Sequence, residues 1–176
     1  MIQPLVQMRG IVKKFPGVVA NDQVNLDLFA GEIHALLGEN GSGKSTIMSV
    51  LAGLYKPDAG EILIEGTPAS FGSPRDAIAA GIGMVHQHFK LVEPFTVAQN
   101  IQLGERSGTF LLSDAGIRQE IKEFETRFGL AVNPDAPVWQ LSVGEKQRVE
   151  IVRMLYRGSQ VLILDEPTAV LTPQET

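Results

Sequence analysis

Apolar residues along this chain follow two spacings. Residues 24–28 alternate, with Val24, Leu26 and Leu28 set against Asn25 and Asp27, the period-two pattern of a strand with one buried face. A shorter apolar run at 5–8 predicts another strand. Residues 33–37 (Ile-His-Ala-Leu-Leu) are nearly all apolar and stop at Gly38, which predicts a strand buried on both faces. Further strands are expected at 61–66 and 82–86, and an entirely apolar one at 161–164 that runs into Asp165 and Glu166.

The second spacing is helical. Ile47, Val50, Leu51 and Leu54 predict a helix over 44–54, with Gly53 near its end and turn residues at 56–60. Ile117, Ile121, Phe124 and Phe128 form one stripe, stopped by Gly129 and started at Ser113 or Asp114. Val149, Val152 and Tyr156 predict a buried face on a helix over 144–156. Strands on both sides of a helical stretch indicate an α/β fold with a helical subdomain at about 95–157.

Composition narrows the class without naming a function. With 176 residues the chain can bury roughly 70% of its unfolded surface, so neither disulfide nor metal is needed to hold a core. It has no Cys, which excludes a disulfide framework, a Cys-ligated zinc site, an iron–sulfur cluster and a cysteine nucleophile. Fifteen basic against 20 acidic residues leave a net charge of −5, the wrong sign for a protein whose main partner is nucleic acid. The longest apolar run, 77–85, contains two Gly and is far short of a membrane span. No basic start with an apolar signal core opens the chain, so a cytoplasmic protein is expected.

Between the strand expected at 33–37 and the helix expected from Lys44 lies Gly38-Glu39-Asn40-Gly41-Ser42-Gly43-Lys44-Ser45-Thr46, a G-x-x-x-x-G-K-[ST] phosphate-binding loop. Such a loop needs backbone N–H groups aimed inward, hence Gly where a side chain would obstruct or φ is positive. Lys44 is expected on the β- and γ-phosphates, the Ser45 hydroxyl on Mg²⁺ and Thr46 at an outer phosphate. Thr46 also stands where a dinucleotide fingerprint would place its third Gly or Ala, which excludes that motif. Asp165, ending the apolar strand, suits a metal held through water. Glu166 emerges on another side and suits a general base for attacking water.

The residues between these motifs resemble the ATP-binding cassette (ABC) proteins. Residues 141–148 (Leu-Ser-Val-Gly-Glu-Lys-Gln-Arg) look like the family's signature segment, and Gln87 matches its Q-loop. Phe15 matches the aromatic that stacks on adenine, and Asp165-Glu166-Pro167-Thr168 matches the end of its second carboxylate motif. The resemblance runs from about Leu5 to Glu175 in the family's order. It implies a RecA-like core with an N-terminal antiparallel β subdomain and a helical subdomain, binding ATP and Mg²⁺. It also implies that Ser142 and Gly144 clamp the γ-phosphate held by a second nucleotide-binding domain, head to tail. Gln87 would contact the metal and attacking water, and membrane permease subunits would dock near it. Residues 85–89 and 168–175 look most like ATPases of simple-sugar and nucleoside importers, which carry two such domains on one polypeptide. The chain would then act at the inner face of the cell membrane, reaching it only through partners.

Three departures qualify the resemblance. Val143 and Glu145 stand where the commonest signature has Gly and Gln, while Ser142 and Gly144 are intact. Thr172 stands where the D-loop normally has Asp. The switch histidine expected after the D-loop has no counterpart, since His34, His86 and His88 all precede Asp165. The expectation is therefore a C-terminally truncated nucleotide-binding domain, residues 1–176. Competing classes are a non-transport ABC ATPase of DNA repair or translation, a nucleotide kinase, and a fragment that binds ATP without turnover. The interval between Gln87 and Leu141 leaves no room for a long coiled coil, and a kinase would lack the signature. Phe89, Leu91 and Phe95 are expected to form the permease-docking groove, Trp139 to pack, and His34 to be a buried structural histidine. No chemistry is expected of His86 or His88.

Overall fold

The computed structural model describes residues 3–86, 89–103 and 114–165. The chain divides into two compact units, Met1–Ile82 and Gly83–Thr176.

The first unit is built on a four-stranded antiparallel sheet in the order β2-β1-β3-β4. Strand β1 (Val6–Phe15) turns through Pro16 and Gly17 into β2 (Val18–Leu28), so the two short runs seen in the sequence are halves of one long hairpin. The stretch 9–23 hides this pairing, because register shifts break the alternation of β1 after Met8. Strand β3 (Ala59–Ile64) pairs with the other edge of β1, and β4 (Thr67–Ala69) completes the sheet. Val6, Met8, Ile11 and Ile62 are buried, as are Ile47, Val50 and Leu51 of helix α1 (Lys44–Leu51), which touches β1 and β2.

Helix α1 ends three residues earlier than its apolar spacing predicts. Gly53 takes φ +72°, and two backbone bonds, Leu54 N–H to Ser49 carbonyl (2.9 Å) and Gly53 N–H to Val50 carbonyl (3.1 Å), close a Schellman motif. A Cβ on Gly53 would stand 2.6 Å from the Ser73 carbonyl oxygen, so the stop admits no other residue without a shift. A short helix α2 (Pro74–Ala79) follows, with Pro at its first position.

The strand expected at 33–37 is not formed. Residues 32–39 have no regular structure, Ile33 is fully exposed and Leu37 is 88% exposed. An apolar run becomes a buried strand only when neighbours pair with both of its edges, and among the described residues of this unit none pairs with it. His34 is likewise on the surface, 3.5 Å from Glu32, rather than buried.

Among its described residues the second unit combines a two-stranded sheet, β5 (Ile82–Val85) with β6 (Val161–Leu164), and three α-helices, α3 (Val97–Gln102), α4 (Asp114–Phe128) and α5 (Val143–Tyr156), with a 3-10 turn at Val138–Gln140. Their shared core is Val97, Ile101, Ile117, Ile121, Val138, Val149 and Val152, with Tyr156 packed against it. The stripe of α4 is therefore inward at Ile117 and Ile121, while Phe128 is exposed and stacks on Phe124 at 5.9 Å. Helix α3 begins at a capping box: Thr96 Oγ1 accepts from Gln99 N–H, and the Gln99 side chain accepts from Thr96 N–H. Trp139 is 61% exposed, against the expectation that it packs. No described helix is long and apolar enough to cross a membrane.

Candidate functional site: a phosphate-binding loop and a capped signature helix

Residues 38–43 reach α1 through two left-handed glycines, Gly41 (φ +83°) and Gly43 (φ +87°). Gly43 occupies the N-cap of α1 and makes no side-chain cap, so its carbonyl accepts the first helical bond from Ile47 N–H at 3.0 Å. The N–H groups of Lys44, Ser45 and Thr46 precede that bond and have no acceptor within the helix. Together with the helix dipole, equivalent to about half a positive charge, they make an anion seat.

Room for this backbone is set by β2. A Cβ on Gly43 would lie 2.3 Å from the Ala20 carbonyl oxygen and 2.7 Å from Asn21 Nδ2. Asn21 is 4% exposed and its Nδ2 donates to the Gly43 carbonyl at 3.1 Å. The hairpin thus holds the loop's last residue from beneath. Asn21 was missed from the sequence because it stands among the polar residues of β2, where only its pairing with the loop distinguishes it.

Lys44 Nζ donates to the carbonyls of Gly38 and Glu39, at 2.7 Å each, and reaches Ser42 Oγ at 3.5 Å. The ammonium therefore spans the loop's two ends, and Ser42 N–H donates to Glu39 carbonyl at 3.2 Å across its middle. Asn40 lies exposed at the turn, Ser45 is exposed on the first turn of α1, and Thr46 is half-buried beside it. Gly38, Asn40, Gly41, Ser42, Gly43, Lys44, Ser45 and Thr46 are brought together in one loop–helix junction. Phe15, at the end of β1, is half-buried, with its ring edge-on to Tyr55 at 5.3 Å and Lys13 Nζ at 5.5 Å.

In the second unit, Asp165 follows β6, and its N–H donates to the Val85 carbonyl at 3.3 Å. The residue that leads into the Q-loop position and the carboxylate at the end of β6 therefore share one end of the sheet. Gln87 and Glu166 themselves lie outside the described residues, as do His88, Pro167, Thr168 and Thr172. His86 is half-buried, and burial together with the neighbouring Lys90 charge lowers its pKa, against an opposing pull from Glu150 and Asp165.

Ser142 is the N-cap of α5. Its Oγ accepts from Glu145 N–H at 3.3 Å, while Ser142 N–H and Oγ donate to Glu145 Oε2 at 2.8 and 2.7 Å. Glu145, which stands where the commonest signature has Gln, closes a capping box here. These hydrogen bonds, the side-chain one foremost, hold its carboxyl below the usual glutamate range. Gly144 is buried in the first turn.

The donor set fits the groups that the sequence implies. Within the first unit, the free N–H groups of α1 with Lys44 suit a polyphosphate, and the Ser45 hydroxyl is a hard oxygen of the kind that Mg²⁺ takes; within the second unit, the Asp165 carboxylate is another such oxygen. Among the described residues no group of three or more His, Cys, Asp or Glu is placed to hold a metal ion by itself.

Known proteins share sequence and fold with this chain. The guanosine import ATP-binding protein NupO of Bacillus subtilis is 54% identical over 174 residues, covering 97% of this chain and 34% of NupO. The glucose import ATP-binding protein TsgD13 of Haloferax volcanii is 48% identical, covering 98% of this chain and 37% of TsgD13. This chain thus spans about a third of the length of the curated relatives it matches. Among solved structures, cbiO1 of Clostridium perfringens, part of the ABC transporter complex cbiONQ, superposes with a TM-score of 0.80 at 31% identity, over 98% of this chain and 69% of its own. The ABC transporter family model matches residues 21–169, from the asparagine under the loop to beyond the paired carboxylates, and the chain belongs to that family.

Proposed function

We propose that this chain is a nucleotide-binding domain, with a helical subdomain at about 95–157, that binds and hydrolyses ATP to power import of a small polar solute. The observation that carries the reading is the junction at 38–46: two left-handed glycines and three free helix N–H groups, with the Lys44 ammonium folded back on the Gly38 and Glu39 carbonyls of the same loop. ATP phosphates would take the place of the Gly38 and Glu39 carbonyls as partners of Lys44, whose ammonium then bridges β- and γ-oxygens. Ser45 and Asp165 would hold Mg²⁺, which supplies charge neutralisation between the phosphates when bound. Phe15, already edge-on to Tyr55, would offer its face to adenine, and Glu166 would take the proton of the attacking water.

Ser142 and Gly144 would complete the site of a second nucleotide-binding domain, head to tail. A second domain on the same polypeptide is supported by the length of the relatives, about three times that of this chain. Permease subunits would dock on the second unit, with Phe95 exposed towards them. Leu91, expected in the same groove, is instead half-buried against the core of that unit, so Phe95 carries the apolar contact. The domain would sit on the cytoplasmic face of the membrane through these partners alone, with no role for nucleic acid. The name of NupO favours a nucleoside as the cargo over a sugar.

Glu166→Gln in the protein at its natural length tests the assignment. ATP should still bind, turnover should stop and a closed dimer should accumulate; turnover at the normal rate would remove Glu166 as the base.

A further inference from the structure

We infer that Glu150 and Arg153 of α5 form a clasp that positions the segment after Gln87 on the signature helix, tying the placement of Gln87 to that of Ser142. Lys90 N–H donates to Glu150 Oε1 at 2.8 Å, and Arg153 donates from one guanidinium nitrogen to the Lys90 carbonyl at 3.0 Å. The other nitrogen closes the ring on Glu150 Oε2 at 2.5 Å. Both backbone groups of a single residue are thus satisfied by side chains from one helix, as a neighbouring strand would satisfy them.

The pair is nearly sealed from water, with side-chain exposures of 9% for Arg153 and 3% for Glu150. Removing two charges from solvent is costly, and an apolar pair of the same volume would stabilise the fold as well or better. What an apolar pair cannot do is hold an N–H and a C=O of an extended segment in register. The same segment is fixed again two residues on, where Asn100, fully buried, accepts from Val92 N–H at 2.7 Å and donates to Val92 carbonyl at 3.0 Å. Lys146 of α5 then reaches Glu93 at 2.8 Å. Residues 90–93 are therefore seated on the helical core, and the link to α5 runs through Glu150, Arg153 and Lys146.

Helix α5 begins at Ser142 and buries Val149 and Val152 between the two ends of this link. A motion that carries Ser142 must carry Lys90, three residues beyond Gln87. The clasp acts through Gln87, so Glu150 and Arg153 are positioning residues. This inference rests on the reading in which Gln87 and Ser142 both serve ATP.

A double-mutant cycle on steady-state ATP hydrolysis by the natural-length protein tests it. Glu150→Ala should lower kcat by about 10- to 100-fold, the usual consequence of misplacing a reacting group by about 1 Å, with KM for ATP within about twofold. Glu150→Gln keeps an acceptor for Lys90 N–H and should recover part of the loss. Combined with Gln87→Ala, Glu150→Ala should slow the enzyme no further, because both act at one point. Multiplying losses, or an unchanged kcat in folded Glu150→Ala, would overturn the clasp. Wild-type hydrolysis by Gln87→Ala would instead overturn the functional reading beneath it. If Glu150→Ala does not fold, Glu150→Gln and Arg153→Lys enter the same cycle and are read by the same criteria.

Discussion

Gly43 and Gly41 both take positive φ, yet only Gly43 is hemmed in. A Cβ there meets the Ala20 carbonyl at 2.3 Å, whereas a Cβ on Gly41 meets nothing within 4 Å. Gly41→Ala should therefore cost about 1–2 kcal/mol, the ordinary penalty for a left-handed residue, and weaken nucleotide binding by disturbing the loop's inward N–H groups. Gly43→Ala should cost more and weaken binding sharply, since the loop must lift away from β2; denaturant melts paired with nucleotide titrations separate the two outcomes. Ser142→Ala removes the N-cap of α5 and should destabilise the second unit by about 1 kcal/mol. The capping carboxylate adds a pH dependence. The folded state holds Glu145 below its ordinary range, so its contribution is complete at neutral pH and is lost as pH falls through that depressed value. Glu145→Gln lacks this titration, so chemical denaturation should show wild type losing its advantage over the variant in acid. A gap that stays constant with pH would detach the shift from stability.

Helices were the more readable elements, and their ends less so. The stripe of α4 and the buried face of α5 follow from side-chain spacing, because a helix that packs on one side must repeat its apolar residues at that spacing. Truncating Ile117 or Ile121 to Ala should cost about 2–5 kcal/mol in thermal or denaturant unfolding, whereas the exposed Phe128 should cost far less. Helices α2 and α3 escaped the spacing argument because six residues are too few to show a period; their caps at Ser73 and Thr96 were the available signal. Strands divide the same way. Residues 24–28 alternate and pair as expected, while the irregular part of the hairpin, where the register shifts, is set by its partner. Residues 33–37 show the reverse case, an apolar pattern without a ladder.

Across the whole molecule, what the sequence revealed of the site is its local part. The loop at 38–46 is contiguous, so one pattern of Gly, Lys and Ser specifies its chemistry and its geometry together. Contributions from elsewhere in the chain carry no such pattern: Asn21 under Gly43, Asn100 under Val92, and the Glu150–Arg153 pair around Lys90 are ordinary polar residues until the fold sets their backbone partners. Each is distinguished only by its burial and its backbone partner in the fold. The family was nonetheless readable, because the resemblance rests on the contiguous segments at 38–46, 141–148 and 161–166. Lys44 is the residue on which ATP binding by the loop most directly depends. Calorimetric titration of Mg-ATP into the natural-length protein should give saturable binding that weakens by about ten- to a hundredfold in Lys44→Ala, the worth of one charged hydrogen bond. Equal affinity in the two proteins would contradict it.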